Sequence, residues 1–100
     1  MIVFNTTYLV SFEVHDTWLQ WISFRHIPAM LETTFFTDPR LFKVLVDEDQ
    51  GVTYSLQFSS PTMDMVRNWQ KKHQGEMEAD LRETFGESVM FFSTFLEEIK

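Results

Sequence analysis

Apolar residues in this chain change period in a set order, and that order limits the fold more than any single motif does. From Ile2 to Phe12 the even positions read Ile, Phe, Thr, Tyr, Val, Phe, against Asn5, Thr7 and Ser11 on odd ones. A period of two describes a strand with one apolar face. From Asp16 to Leu31 the period turns helical: at about 100° per residue, Trp18, Trp21, Ile22, Arg25, His26 and Ala29 share one broad face. Asp16 is the expected N-cap, and the paired β-branched Thr33-Thr34 should end the helix. Pro28 has no amide hydrogen to give and biases Ile27 away from helical geometry, so a kink or restart is expected just after His26.

The second half repeats the alternation. Phe35 to Pro39 reads as a connection, and Arg40 to Asp47 as a strand apolar on both faces apart from Lys43, hence covered on both sides. Asp47-Glu48-Asp49-Gln50-Gly51 is a hairpin signal, with Gly51 expected to supply a positive φ. Val52, Tyr54, Leu56 and Phe58 then alternate with Thr53, Ser55, Gln57 and Ser59, a strand with one greasy and one polar face. After Ser60-Pro61-Thr62, the residues Val66, Trp69, His73, Met77, Leu81 and Phe85 recur at helical spacing across Gly75, an expected bend, with Gly86 as the stop. Ser88 to Leu96 reads as a last strand. The order β-α-β-β-α-β is that of a ferredoxin-like α+β fold, a four-stranded antiparallel sheet with helices on one face. At 100 residues the chain should form one domain, residues 1–100. The uncovered sheet face mixes Asn5, Thr7, Thr53, Ser55 and Gln57 with apolar residues, among which Leu45, Met90 and Phe92 would add to an exposed patch. A half-apolar open sheet is commonly covered by a second copy, so a homodimer is expected.

Composition removes several function classes. A formal net charge of -7, with no basic cluster larger than Lys71-Lys72, argues against nucleic acid and acidic membranes as partners. The absence of cysteine excludes disulfides, a thiolate nucleophile and a sulfur-bound zinc, and fits a cytoplasmic location. The opening Met1-Ile2-Val3-Phe4 has no secretory signal pattern, and no apolar run reaches membrane-spanning length. The glycosylation-like Asn5-Thr6-Thr7 is therefore read as strand. Three glycines leave no phosphate-cradling loop or dinucleotide fingerprint, and the histidines show no metal-ligand spacing, so no cofactor and no metal are expected. Asp47-Glu48-Asp49 is too short for a calcium loop and reads as a solvated turn.

His26 is the leading candidate for chemistry, because a neutral imidazole in an aromatic pocket can give or take a proton. The other reading is a buried histidine held for architecture. Trp18, Trp21, Tyr8, Tyr54 and Trp69 are candidate walls of an aromatic ligand cavity, although aromatic stripes at core spacing are more often plain core. Arg25 could hold a ligand carboxylate, or pair with Glu13 or Asp38. His73 could join His26 from the second helix, or sit at the edge of the core.

Trp21 followed by His26-Ile27-Pro28 on the first helix resembles the dimeric α/β-barrel superfamily. With Phe36-Thr37-Asp38, Val52-Thr53-Tyr54-Ser55 and the Leu96-Glu97-Glu98 ending, the chain most resembles an uncharacterised family of roughly 100-residue domains of unknown function. The superfamily includes cofactor-independent monooxygenases and small-ligand binders, usually with a cavity between sheet and helices. The resemblance thus implies a homodimer binding a small apolar or aromatic molecule in such a cavity. The alternatives are a ligand-free interaction module and a cofactor-independent monooxygenase-like enzyme.

Overall fold

The structure, a computed structural model, describes residues 1–47 and 49–100. Its strands are β1 (Ile2–Ser11), β2 (Thr37–Lys43), β3 (Gly51–Ser60) and β4 (Val89–Glu97). They form one sheet of order β2-β3-β1-β4 in which every neighbouring pair is antiparallel. Both helical segments fall where the period changes. α1 (His15–Trp21) and α2 (Ile27–Glu32) are joined by a π turn over Ile22–His26, and α3 (Met63–Trp69) and α4 (Gly75–Phe85) by a π turn over Gln70–Gln74. The chain therefore has the expected ferredoxin-like α+β fold.

The two π turns have a common cause. Trp18, Ile22, His26 and Met30 follow one another at four-residue spacing, as do Trp69, His73, Met77, Leu81 and Phe85. In an α-helix each such step overshoots a full turn by about 40°, so a string of them rotates off its own face. A π turn holds more residues and absorbs the drift. Trp18, Ile22, His26 and Met30 accordingly all stay buried. Ile27 keeps helical angles, φ -59° and ψ -49°, contrary to the expectation from Pro28. The helix restarts with Pro28 in its first turn, where a missing amide is tolerated. Gly75 is likewise helical, at φ -61°, and closes the second π turn. Asp16 is not the N-cap: a 3-10 turn over Phe12–Val14 feeds directly into α1, whose cap position is Val14, and Asp16 lies in the first turn.

The even residues of β1 and β3 form the floor of the core. Phe4, Tyr8, Val10, Tyr54, Leu56 and Phe58 are buried beneath Trp18, Ile22, Val66 and Trp69. The aromatic rings interlock, with Phe4 and Trp69 centroids 5.0 Å apart and Phe36 edge-on to Trp69 at 5.2 Å. β2 departs from expectation in both bounds and burial. It starts at Thr37 and ends at Lys43, bulges between Thr37 and Arg40 around the left-handed Asp38, and only Leu41 is partly buried. It is an edge strand with nothing over its outer face, so its apolar residues are not sandwiched. The expected turn from Asp47 to Gly51 includes Glu48, which lies outside the described residues.

Gly51 is needed for space and has no positive φ. It opens β3 opposite Ser11, where a side-chain carbon would overlap the Val10 carbonyl. Gly86 ends α4 as expected, at φ 56°. On the open face, register aligns Phe42, Ser55, Thr7 and Phe92 in one row and Arg40, Gln57, Asn5 and Thr94 in the next. Asn5 Oδ1 accepts from Ser55 Oγ at 2.6 Å, which gives the face a polar centre. Met90 and Phe92 are exposed on it, at 65% and 57%, whereas Leu45 lies past the end of β2 and off the sheet.

Candidate functional site

His26 closes the first π turn, which turns its ring inward, and only 6% of the residue is exposed. The imidazole lies flat on Trp21, centroids 5.0 Å apart and planes 15° off parallel, with Phe58 edge-on at 6.4 Å. Among the described residues the ring makes no side-chain hydrogen bond, and its nitrogens stay open to solvent, unlike the enclosed and unpaired indole nitrogens of Trp21 and Trp69 beside it. Burial lowers its pKa to about 4, a shift only partly opposed by the charge of Asp80, so the ring is neutral at pH 7.

One side of this ring borders a groove of about 280 Å³ between the two helical segments. Arg25, His26, Ala29 and Met30 wall it from one side, and Trp69, His73, Met77 and Asp80 from the other. At its rim Arg25 Nη2 donates to Asp80 Oδ1 at 2.8 Å, tying the helices together. Arg25 was expected to pair with Glu13 or Asp38; the partner is Asp80 on the neighbouring α4, 55 residues on in sequence. His73, from the second π turn, reaches the same groove with its ring edge against Phe35 at 5.9 Å. Each π turn therefore contributes one histidine to the groove.

The structure thus brings together only part of the expected aromatic pocket. His26, Arg25 and Trp69 meet at the groove, and Trp21 supports His26 from behind. Tyr8, Trp18 and Tyr54 form a separate stack, with Tyr8 and Trp18 at 5.1 Å and Trp18 and Tyr54 at 4.9 Å. Tyr8 is 2% exposed, and burial pushes its phenol pKa up. These three are core. The space between sheet and helices where a cavity was expected is filled by such rings, and the groove beside His26 lies between the helices instead.

His15 was not singled out in the sequence, and no spacing rule could have found it. Its Nε2 lies 2.7 Å from Tyr54 Oη and its Nδ1 3.2 Å from Asp16 Oδ1. With Nδ1–H donated to Asp16, Nε2 accepts the Tyr54 hydroxyl, which fastens the start of α1 to β3. Burial and the Asp16 charge raise the Tyr54 pKa, so this phenol stays protonated. No group of three or more metal-ligating side chains occurs among the described residues. No helix there is long and apolar enough to cross a membrane.

Comparison with solved structures places the fold. A candidate antibiotic biosynthesis monooxygenase from Deinococcus radiodurans superposes with a TM-score of 0.71 at 13% identity, covering 100% of this chain and 94% of that one. An ethyl tert-butyl ether d family protein from Bacillus halodurans gives a TM-score of 0.72 at 10% identity, covering 99% and 100%. A dimeric ferredoxin-like protein from an uncultured marine organism gives 0.65 at 12% identity, covering 100% and 96%. At such identities the likeness is one of fold, and activity does not follow from fold. No curated protein matches the sequence. A family model matches residues 1–99, and the chain belongs to that family, the domain of unknown function DUF4286.

Proposed function

We propose that this chain is a homodimeric small-molecule binder whose ligand sits in the helix–helix groove against His26. The observation that carries the reading is the imidazole itself: 6% exposed, without a hydrogen-bonding partner among the described residues, and on the wall of a groove. Its ring nitrogens are not among the enclosed unpaired polar atoms, which among the described residues are the indole nitrogens of Trp18, Trp21 and Trp69 and Ser60 Oγ, so water from the groove reaches them and a ligand's polar group would take that water's place. Binding is a better role for His26 than proton abstraction. A base whose conjugate acid has a pKa of about 4 is poorly matched to work near pH 7, where general catalysis favours groups titrating close to the operating pH. A thermal-shift screen tests the reading, since a ligand specific for the folded state at 100 times its dissociation constant adds about 2.7 kcal/mol.

The second copy would cover the open sheet face. Three strands of nine to ten residues and one of seven present roughly 600 Å² in plan, before side-chain relief, against about 800 Å² per partner in a standard interface. Leu9, Met90, Phe92 and Leu96 make its β4 half apolar. The dimeric state of the ferredoxin-like structural neighbour is in keeping with this. Light scattering at micromolar concentration decides between one copy and two.

A further inference from the structure

We propose that the groove takes a small, uncharged aromatic molecule carrying a hydroxyl group, hydrogen-bonded to His26, and that it rejects carboxylates because Asp80 already occupies Arg25. This rests on the groove being a ligand site and goes on to name the ligand's chemistry.

The walls select an aromatic ring. Trp69, Met30 and Met77 line the groove, and thioethers make favourable contacts with aromatic edges. The volume, about 280 Å³, falls just below the usual range for drug-sized ligand pockets and suits one small ring system. The rim selects against anions. Arg25 is bonded to Asp80 at 2.8 Å, and Glu76 adds a further carboxylate to the same groove. Lys72, the next cation, lies over the Phe35 ring at 5.8 Å and does not wall the groove. An incoming carboxylate would have to displace Asp80 against the repulsion of a chain with formal net charge -7. The floor selects the polar group. His26 is neutral, so one ring nitrogen donates and the other accepts. A hydroxyl can both donate and accept, and therefore satisfies whichever nitrogen faces the groove.

Matched probes provide the test: p-cresol, toluene and benzoate, titrated into the isotope-labelled chain while the His26 side-chain and Trp69 indole resonances are followed. The expected result is saturable movement of both signals with p-cresol, with binding at least about tenfold tighter than for toluene or benzoate, as expected when a site built around a hydrogen bond meets an analogue that lacks one. In His26→Phe the preference for p-cresol over toluene should vanish. In Asp80→Asn, a change at the rim that leaves the core intact, Arg25 is released and benzoate affinity should rise by about tenfold. Benzoate binding the unaltered chain as well as p-cresol, or toluene equalling p-cresol, overturns the hydroxyl assignment while leaving the groove as a site. Failure of all three probes to move either resonance at millimolar concentration overturns the groove itself.

Discussion

His26 and Trp21 lie ring on ring, 5.0 Å apart, across a π turn that brings residues five apart toward each other, where α-helical geometry would set them about 140° apart at opposite edges of the face. The stacking holds the imidazole in an apolar setting, which is why burial drives its pKa from 6.5 to about 4. Between these values the unfolded chain takes up a proton that the folded chain refuses. Stability therefore rises with pH across this window, is complete above about 6.5, and is lost as pH falls toward 4. The full loss is roughly 3 kcal/mol at 1.36 kcal/mol per pKa unit. Urea denaturation at pH 7.5, 5.5 and 4.5 should show it as a slope that His26→Phe removes. Equal slopes in both proteins would mean that the ring protonates freely in the fold.

Gly51 and Gly86 should both resist replacement by alanine, for opposite reasons. At Gly51 the added carbon meets the Val10 backbone, so Gly51→Ala must push β1 and β3 apart, at about 1–3 kcal/mol as for other overpacking. At Gly86 no neighbour lies near the added carbon, and the cost is the φ of 56° with ψ of -132°, about 1–3 kcal/mol of backbone strain. Chemical denaturation measures both. Amide shifts separate them, spreading into β1 only for Gly51→Ala.

The Arg25–Asp80 pair should contribute little to stability despite its 2.8 Å geometry. Both side chains reach solvent, at 67% and 32%, so a double-mutant cycle with Arg25→Gln and Asp80→Asn should return about 0.2–1 kcal/mol, less at high salt. A coupling several times larger would make the pair a structural clamp on the two helices.

Phe92 lies beside Thr7 in the middle of the open face, 57% exposed in the single chain. Phe92→Asp should convert a dimer to monomer in light scattering while leaving far-ultraviolet circular dichroism unchanged, because the residue does not pack into the core. A dimer that survives the change does not use this face.

The sequence by itself determined the alternation of strand and helix, the inward even positions of β1 and β3, and the end of α4 at Gly86, because each is a local consequence of period or of φ. It also held an overlooked sign of the π turns: unbroken four-residue spacing from Trp18 to Met30 and from Trp69 to Phe85 is too long a repeat for 3.6 residues per turn. The tertiary structure alone decided what each side chain meets. Arg25 finds Asp80 rather than Glu13, Tyr54 finds His15 instead of walling a ligand cavity, and β2 becomes a bare edge although its sequence is apolar on both sides. The groove is decided there too, since His26 and His73 are 47 positions apart and become neighbours only when two helices, each shifted by a π turn, pack side by side on one sheet. Period is a property of neighbouring residues along the chain, whereas partner and pocket depend on how separate elements are laid against one another.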